Sequence, residues 1–319
     1  MNKNLKILLI GGNGFIGKTL IKTLSEKGYK NLTTTSRGET KQRNPDIPNI
    51  PAVDITKPET LGIPIASADI VINLAGFISF ARKDREKLLI VNGEGALNVL
   101  RACEKNKNLH RLIHISSTSA FGVSAKNIDE TFRFDWSEDN GFVYSYSKFI
   151  ANDAIDDSIV PTNIIYPSAS FGSGNKNTQK ILKYAKNKKR LFLPTGANSI
   201  IDVRDLAESI VVVLEKAPSK ENYISCGESF RFSDLFRITC NALGQNTKII
   251  VFPQWFQKPM LILARLVEIF GSQKIGYEQM YLSFHSLKYS NKKLKKLGYT
   301  PKYPIFQTLE DILSEDSTQ

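Results

Sequence analysis

The chain has 319 residues, enough for about two domains at roughly 150 residues each. With 41% hydrophobic and 23% charged residues, it can bury a sizeable core, which excludes disorder, collagen-like repeats and fibrous structure. Its 43 Lys and Arg against 31 Asp and Glu leave a net charge of +12, spread along the chain rather than gathered in a tail.

The densest basic clusters, Lys183–Arg190 and Lys292–Lys296, read as a solvated lysine-rich face, so no nucleic-acid partner is expected. Cys103, Cys226 and Cys240 are odd in number and form no C-x-x-C pair, which argues against a disulfide framework or structural zinc. His110, His114 and His285 form no metal motif and are expected to be ordinary packing or surface residues. The expected compartment is the reducing cytoplasm. The apolar run Ile7–Ile10 stops at Gly11, short of the roughly 7–15 residues of a signal-peptide core. No uncharged apolar stretch reaches the roughly 18–20 residues of a spanning helix, so no membrane partner is expected. The segment Trp255–Phe270, interrupted by Lys258, Arg265 and Glu268, reads as an amphipathic core helix.

In chain order, Lys6–Ile10 reads as a strand that ends in a glycine-rich turn, and Phe15–Lys27 as a helix stopped by Gly28. Leu32–Thr35 is a second strand. Pro45, Pro48 and Pro51 mark an extended loop, and Ala52–Asp54 a short third strand. Asp69–Leu74 is a near-continuous apolar run, as in a strand buried on both faces. Asp84–Lys105 has a long helical pattern, Arg111–Ser116 is a fifth strand, Tyr144–Asp157 a helix and Thr162–Tyr166 a sixth strand. Such alternation predicts an α/β fold, a doubly wound parallel sheet with helices on both faces. After Pro167 the alternation loosens. Residues 1–167 are therefore assigned to a first domain, with 200–225, including the helix Val203–Lys216, returning to it. Residues 168–319 mainly form a smaller α/β substrate domain.

The turn Gly11-Gly12-Asn13-Gly14-Phe15-Ile16-Gly17 has the spacing G-x-x-G-x-x-G between a strand and a helix. In the Rossmann dinucleotide fold, the first glycine makes the tight turn, the second lets backbone approach a pyrophosphate, and the third lets helix pack on strand. The helix N-terminus then offers N–H groups and the positive end of its dipole to phosphate. Gly11, Asn13, Gly14, Phe15, Ile16 and Gly17 are the candidate phosphate cradle. The second strand ends Thr33-Thr34-Thr35-Ser36-Arg37, with no acid to receive a ribose 2′-hydroxyl; Arg37 would instead suit the 2′-phosphate of NADP, with NAD left open.

Tyr144 and Lys148 stand i, i+4 on one predicted helix face. A nearby ammonium would be expected to lower the phenol pKa from about 10 and ready it for proton exchange. The strand Arg111–Ser116 leads into Ser116-Ser117-Thr118-Ser119, a hydroxyl cluster at the carboxyl edge of the sheet, where ligands bind in open α/β folds.

These residues resemble an extended short-chain dehydrogenase/reductase of the NAD-dependent epimerase/dehydratase superfamily, in its dihydroflavonol-reductase-like branch. Val53-Asp54-Ile55 resembles that family's adenine-contacting turn, and Asn73-Leu74-Ala75-Gly76 its loop under the cofactor. Phe77-Ile78-Ser79-Phe80, Asp84-Arg85-Glu86 and Val91-Asn92-Gly93-Glu94-Gly95 resemble this branch's next helix. His114-Ile115-Ser116-Ser117 through Phe121-Gly122 resembles the catalytic-serine strand, and Tyr166-Pro167-Ser168-Ala169-Ser170-Phe171-Gly172 the nicotinamide-side loop. Asp202-Val203-Arg204-Asp205 and Leu297-Gly298-Tyr299-Thr300-Pro301 match later family signatures.

The resemblance implies Tyr144 as acid/base, Lys148 as its partner and ribose ligand, and Ser117 as the substrate-orienting hydroxyl, with Thr118 one step away. It adds Asp54, Ile55, Leu74, Ala75, Gly76, Asn92, Pro167, Ser168 and Ser170 as cofactor contacts, and Phe77, Ser79 and Thr118 as substrate contacts. Tyr166 and Asp202 stand where nucleotide-sugar members often carry arginine and histidine, and Thr118 and Ser119 where dehydratase members place Asp-Glu; together these argue against nucleotide-sugar dehydration. The expected activity is NADP-dependent reduction of a carbonyl on a small, apolar or aromatic substrate. The alternatives are nucleotide-sugar epimerisation with retained NAD, or a non-catalytic dinucleotide-binding protein. A homodimer follows from family analogy alone.

Overall fold

The computed structural model describes residues 1–38, 47–137, 141–269 and 276–316; Pro45 and Phe270 lie outside these. A seven-stranded sheet runs across the molecule in the order Tyr223–Ser225, Thr162–Pro167, Arg111–Ile115, Ile70–Asn73, Ile7–Ile10, Leu32–Thr35, Asn49–Ile50. All neighbours are parallel. The chain starts in the middle of the sheet and builds outward to both sides, so the order reverses beside Ile7–Ile10. That crevice, at the carboxyl ends of the strands, is where such folds bind ligands.

Strand alternation splits the apolar side chains between two layers. Leu8, Ile10, Val71 and Leu112 pack with Val99 and Leu100 of the helix Gly95–Glu104 on one side. Ile7, Leu9, Ile70 and Ile72 pack with Leu20 and Leu24 of Phe15–Glu26 and with Leu206 and Ile210 of Val203–Lys216 on the other. Each fully buried Leu or Ile contributes roughly 1.5–3 kcal/mol, so these two layers hold the crevice rigid. The helix Val203–Lys216 is capped by Asp202, whose carboxylate accepts the Arg204 N–H at 2.7 Å.

A second, mixed sheet centres on Ala197–Asp202, paired antiparallel to Ser229–Arg231 and parallel to Ala169–Phe171 and Ser286–Leu287. Arg190–Leu193 and Lys248–Val251 form a separate parallel pair.

Four sequence expectations need correction. The third strand is Asn49–Ile50, not Ala52–Asp54, because Ala52 turns to φ 58° and breaks the extended run. The Asp84–Lys105 pattern is not one α-helix: a π-helical stretch, Leu89–Glu94, interrupts it and turns Asn92 and Gly93 inward. The Tyr144–Asp157 pattern divides into Val143–Phe149 and Asn152–Asp157 around Ile150 and Ala151. The helix Gln257–Ile269 forms where the amphipathic pattern predicts it, but its apolar face is not in the core: Ile262, Leu263 and Leu266 are exposed. Among the described residues, no helix is long and apolar enough to cross a membrane.

Candidate active site

Gly11 adopts φ +82°, which an L side chain rarely takes, and a Cβ there would stand 3.0 Å from the Ala75 amide nitrogen. The close approach places the turn beside the Leu74–Gly76 loop, itself anchored by the Leu74 N–H to the Ile10 carbonyl at 2.9 Å. Gly14 precedes the helix Phe15–Glu26 in extended conformation, and no side chain caps that helix. A Cβ on Gly17 would overlap the Gly12 backbone, so the helix packs on the turn only because position 17 is glycine. The Asn13 side-chain amide donates to Asn49 Oδ1 at 2.9 Å, which fixes the turn against the third strand. Phe15 reaches the backbone at Gly172, on the far side of the crevice.

Beyond the second strand, Arg37, Asp54, Thr56, Lys83, Lys87 and Val91 line a depression of about 460 Å³. Burial would raise the Asp54 pKa, but the Thr56 N–H and hydroxyl, together with the Arg37 and Lys57 charges, hold it below the ordinary value. The Ile55 side chain is buried, packed where Gly95 leaves room for it.

Asn92 is the central clamp. Its Oδ1 accepts the Phe77 N–H at 2.8 Å, while its Nδ2 donates to the Phe77 carbonyl and to Ser147 Oγ, both at 2.9 Å. Ser147 Oγ donates in turn to the Tyr144 carbonyl at 2.8 Å. The π-helical turn thus ties the loop under the cofactor crevice to the helix that carries Tyr144. On the neighbouring strand, Asn73 makes a comparable tie, accepting the Ala75 N–H at 3.1 Å and meeting His114 Nδ1 at 3.3 Å. Burial and the Lys148 charge push the His114 pKa down to about 3, so this histidine is a neutral packing residue at physiological pH.

The structure brings Tyr144, Ser117 and Lys148 to one place. Ser117 stands at the carboxyl end of Arg111–Ile115, heads the short turn Thr118–Phe121 and hydrogen-bonds the Tyr144 side chain. Thr118 is buried and bonded to Tyr289, so the hydroxyl beside Tyr144 is that of Ser117. Lys148 Nζ donates to the Ile115 carbonyl at 3.4 Å, and a Cβ on Gly76 would lie 3.0 Å from it. The Phe80 ring meets Tyr144 edge-on at 5.2 Å.

The electrostatics reverse the expectation for Tyr144. Burial, the largest cause, pushes its pKa up to about 12; the Ser117 hydrogen bond opposes this and the Glu278 charge adds to it. Lys148 is itself lowered to about 8 by burial. Desolvation disfavours both ions, and it outweighs the helix-face pairing that the i, i+4 spacing suggested.

Other predicted positions have structural partners. Ser79 Oγ donates to Asp84 Oδ2 at 2.6 Å, and the Lys87 ammonium covers the Phe77 ring at 4.3 Å. Pro167 ends the strand beside Arg111–Ile115, and Ser170 Oγ donates to the Ser168 carbonyl at 3.2 Å. Among the described residues the buried Ser168 Oγ has no hydrogen-bond partner, while the Ser168 backbone N–H donates to the Ser225 carbonyl at 2.9 Å. An orphan hydroxyl after Thr162–Pro167 and a glycine turn after Ile7–Ile10, both at the carboxyl edge of the same sheet, fit an extended dinucleotide, which would give each a partner.

Two residues escaped the sequence. Phe80 lies in the stretch Phe77–Phe80 that resembles the family's next helix, but nothing in its spacing sets it against Tyr144. Glu278 carried no signal at all: 2% exposed, it accepts the N–H groups of Tyr144 and Ser145, both at 2.9 Å, and the Ser145 hydroxyl at 2.6 Å. It caps the helix Val143–Phe149 from 134 residues away.

The sheet, its reversal point and this cluster define a Rossmann-type, NAD(P)-dependent enzyme. The chain belongs to the NAD dependent epimerase/dehydratase family, whose model matches residues 7–226. It is similar to vestitone reductase of Medicago sativa, 29% identical over 169 residues, covering 47% of this chain and 52% of that enzyme, so the match spans about half of the relative. A putative dihydroflavonol 4-reductase of Synechocystis is 26% identical over 326 residues, covering 94% of this chain and 91% of that one. The crystal structure of gox2253 superposes with a TM-score of 0.83 at 24% identity, covering 99% of this chain and 98% of that one. The family match makes a nicotinamide dinucleotide the cofactor.

Proposed function

We propose that the protein is an NADP-dependent reductase of a carbonyl group on a small, apolar or aromatic substrate. The reading rests on the pair of hydroxyls formed by Tyr144 and Ser117, under the Phe80 ring and at the carboxyl edge of the sheet. A phenol near pKa 12 holds its proton at neutral pH, as suits a group that gives a proton to an oxygen while charge develops there. Ser117 donates to the same oxygen and orients it. When bound, the nicotinamide supplies the hydride. Lys148 holds the ribose beneath Tyr144, the turn Gly11–Gly17 holds the pyrophosphate, Ser168 meets the nicotinamide end, and Arg37 receives the 2′-phosphate. The relatives named as reductases support the same reaction class.

Two observations count against nucleotide-sugar epimerisation. Tyr166 is buried with its ring 4.6 Å from Phe121, and Asp202 is buried in bonds to Arg204 and Thr308. The test is NADPH oxidation with a panel of aromatic and aliphatic ketones and aldehydes. Tyr144→Phe should keep cofactor affinity and lose about 10²–10⁴-fold in turnover. Turnover near wild type overturns the role of Tyr144. Tightly retained NAD, with no net consumption of reductant, replaces the reductase by the epimerase.

A further inference from the structure

The helix Gln257–Ile269 turns an apolar stripe to solvent. Ile262, Leu263 and Leu266 are 63%, 53% and 45% exposed, and Trp255, just ahead of the helix, is 70% exposed. Their spacing puts the three aliphatic residues on one helix face, with buried Ala264 turned the other way. Trp255 packs on Phe256 at 4.8 Å, Phe256 stacks on Phe252 at 5.1 Å, and Phe252 on Phe192 at 5.8 Å. This aromatic ladder continues the stripe onto the strand pair Arg190–Leu193 and Lys248–Val251. There Arg190 and Phe192 face outward while Leu191 and Leu193 are buried, and the register sets Lys248 beside Arg190.

The same region carries a one-sided charge. Residues 176–201 hold seven Lys and Arg and no Asp or Glu, and residues 245–267 hold three more with no acid. Arg265 is turned inward onto the Tyr277 ring at 3.7 Å. The other nine are exposed and form no ion pair among the described residues. The acids that directly follow these stretches, Asp202 and Glu268, both have buried side chains, Asp202 paired with Arg204 and Glu268 with Arg265 and the Tyr277 N–H, so neither offsets the exposed cations.

We propose that this face docks on an anionic phospholipid bilayer, lying along its surface without crossing it. Apolar side chains and a tryptophan beside exposed lysines are the make-up of an interfacial surface: the stripe enters the headgroup boundary while the cations meet lipid phosphates. A nucleic acid would answer the charge but give Ile262, Leu263 and Leu266 no apolar volume. A second copy would set like charges against each other across the contact. The proposal goes beyond the reductase reading and does not depend on it.

The test is flotation of the full chain with vesicles of phosphatidylcholine alone or mixed with phosphatidylglycerol. Binding is expected only with phosphatidylglycerol, falling as salt rises. Trp255 emission should shift to the blue on binding, because Trp136 is already buried; the shift should vanish in Trp255→Phe while binding persists. Ile262→Ser with Leu266→Ser, and separately Lys188→Glu with Lys189→Glu, should each weaken binding about tenfold or more at unchanged thermal melting and cofactor affinity. No flotation at low salt, or flotation indifferent to both pairs of substitutions, overturns the proposal. So does a concentration-dependent dimer in sedimentation velocity that Ile262→Ser abolishes.

Discussion

The two ends of the crevice are built by different means. The end proposed for the dinucleotide is backbone: a glycine turn and the start of the helix Phe15–Glu26, with the loop that follows the strand Ile70–Asn73 pressed against them. The reacting end is side chains, and each is held by something distant. Ser117 comes from the fifth strand, Asn92 from the π-helical turn and Glu278 from near the carboxyl terminus. A backbone site tolerates little change of residue type but needs few partners. A side-chain site works only when several separate segments have already come together.

The largest expected effect tests the backbone side of that contrast. Gly17→Val puts a branched side chain into the Gly12 backbone, and overpacking of this kind costs about 3 kcal/mol or more where backbone must shift. Chemical denaturation should record that loss together with failure to bind dinucleotide. A variant as stable as wild type would mean that the turn is looser than its geometry. A smaller effect should come from Arg37→Ala. Charged hydrogen bonds of this type contribute about 1.5–3 kcal/mol, so the KM for NADPH should rise about 10–100-fold while that for NADH stays put. Equal losses for both would remove Arg37 as the source of cofactor preference.

What was legible in the sequence follows the same division. The glycine turn, the strands on either side of it and the Tyr144–Lys148 spacing are local patterns, and all of them form where the residues say. Asn49–Ile50 was displaced because a single left-handed residue, Ala52, ends the extended run, and alanine gives no warning of positive φ. The π-helical turn was invisible because its residues keep a helical pattern of apolarity while adding one residue to the turn. The Tyr144 pKa went the wrong way because spacing reports proximity to Lys148 but not how thoroughly both are desolvated. Glu278 could not be read at all, since no periodicity connects it with a helix that begins at Val143. The helix at Gln257–Ile269 was legible as amphipathic, yet which side faces the protein is a tertiary fact.

The smallest effect bears most directly on how the reacting end is held. Glu278 accepts two backbone N–H groups at the start of the Tyr144 helix, and its charge also raises the Tyr144 pKa. If the carboxylate only positions the helix, Glu278→Gln should lower turnover a few-fold and leave the pH profile in place. If its charge also helps keep the phenol protonated, removing it lowers the Tyr144 pKa. The sign is then fixed: reduction needs the protonated phenol and is lost as pH rises through its pKa, so the alkaline limb of the kcat profile should move to lower pH. Glu278→Asp keeps the charge on a shorter arm; it should impair turnover with the limb unmoved, which separates reach from charge. A limb that stays fixed in Glu278→Gln while turnover falls would leave Glu278 a helix cap alone, and the high Tyr144 pKa would then belong to burial.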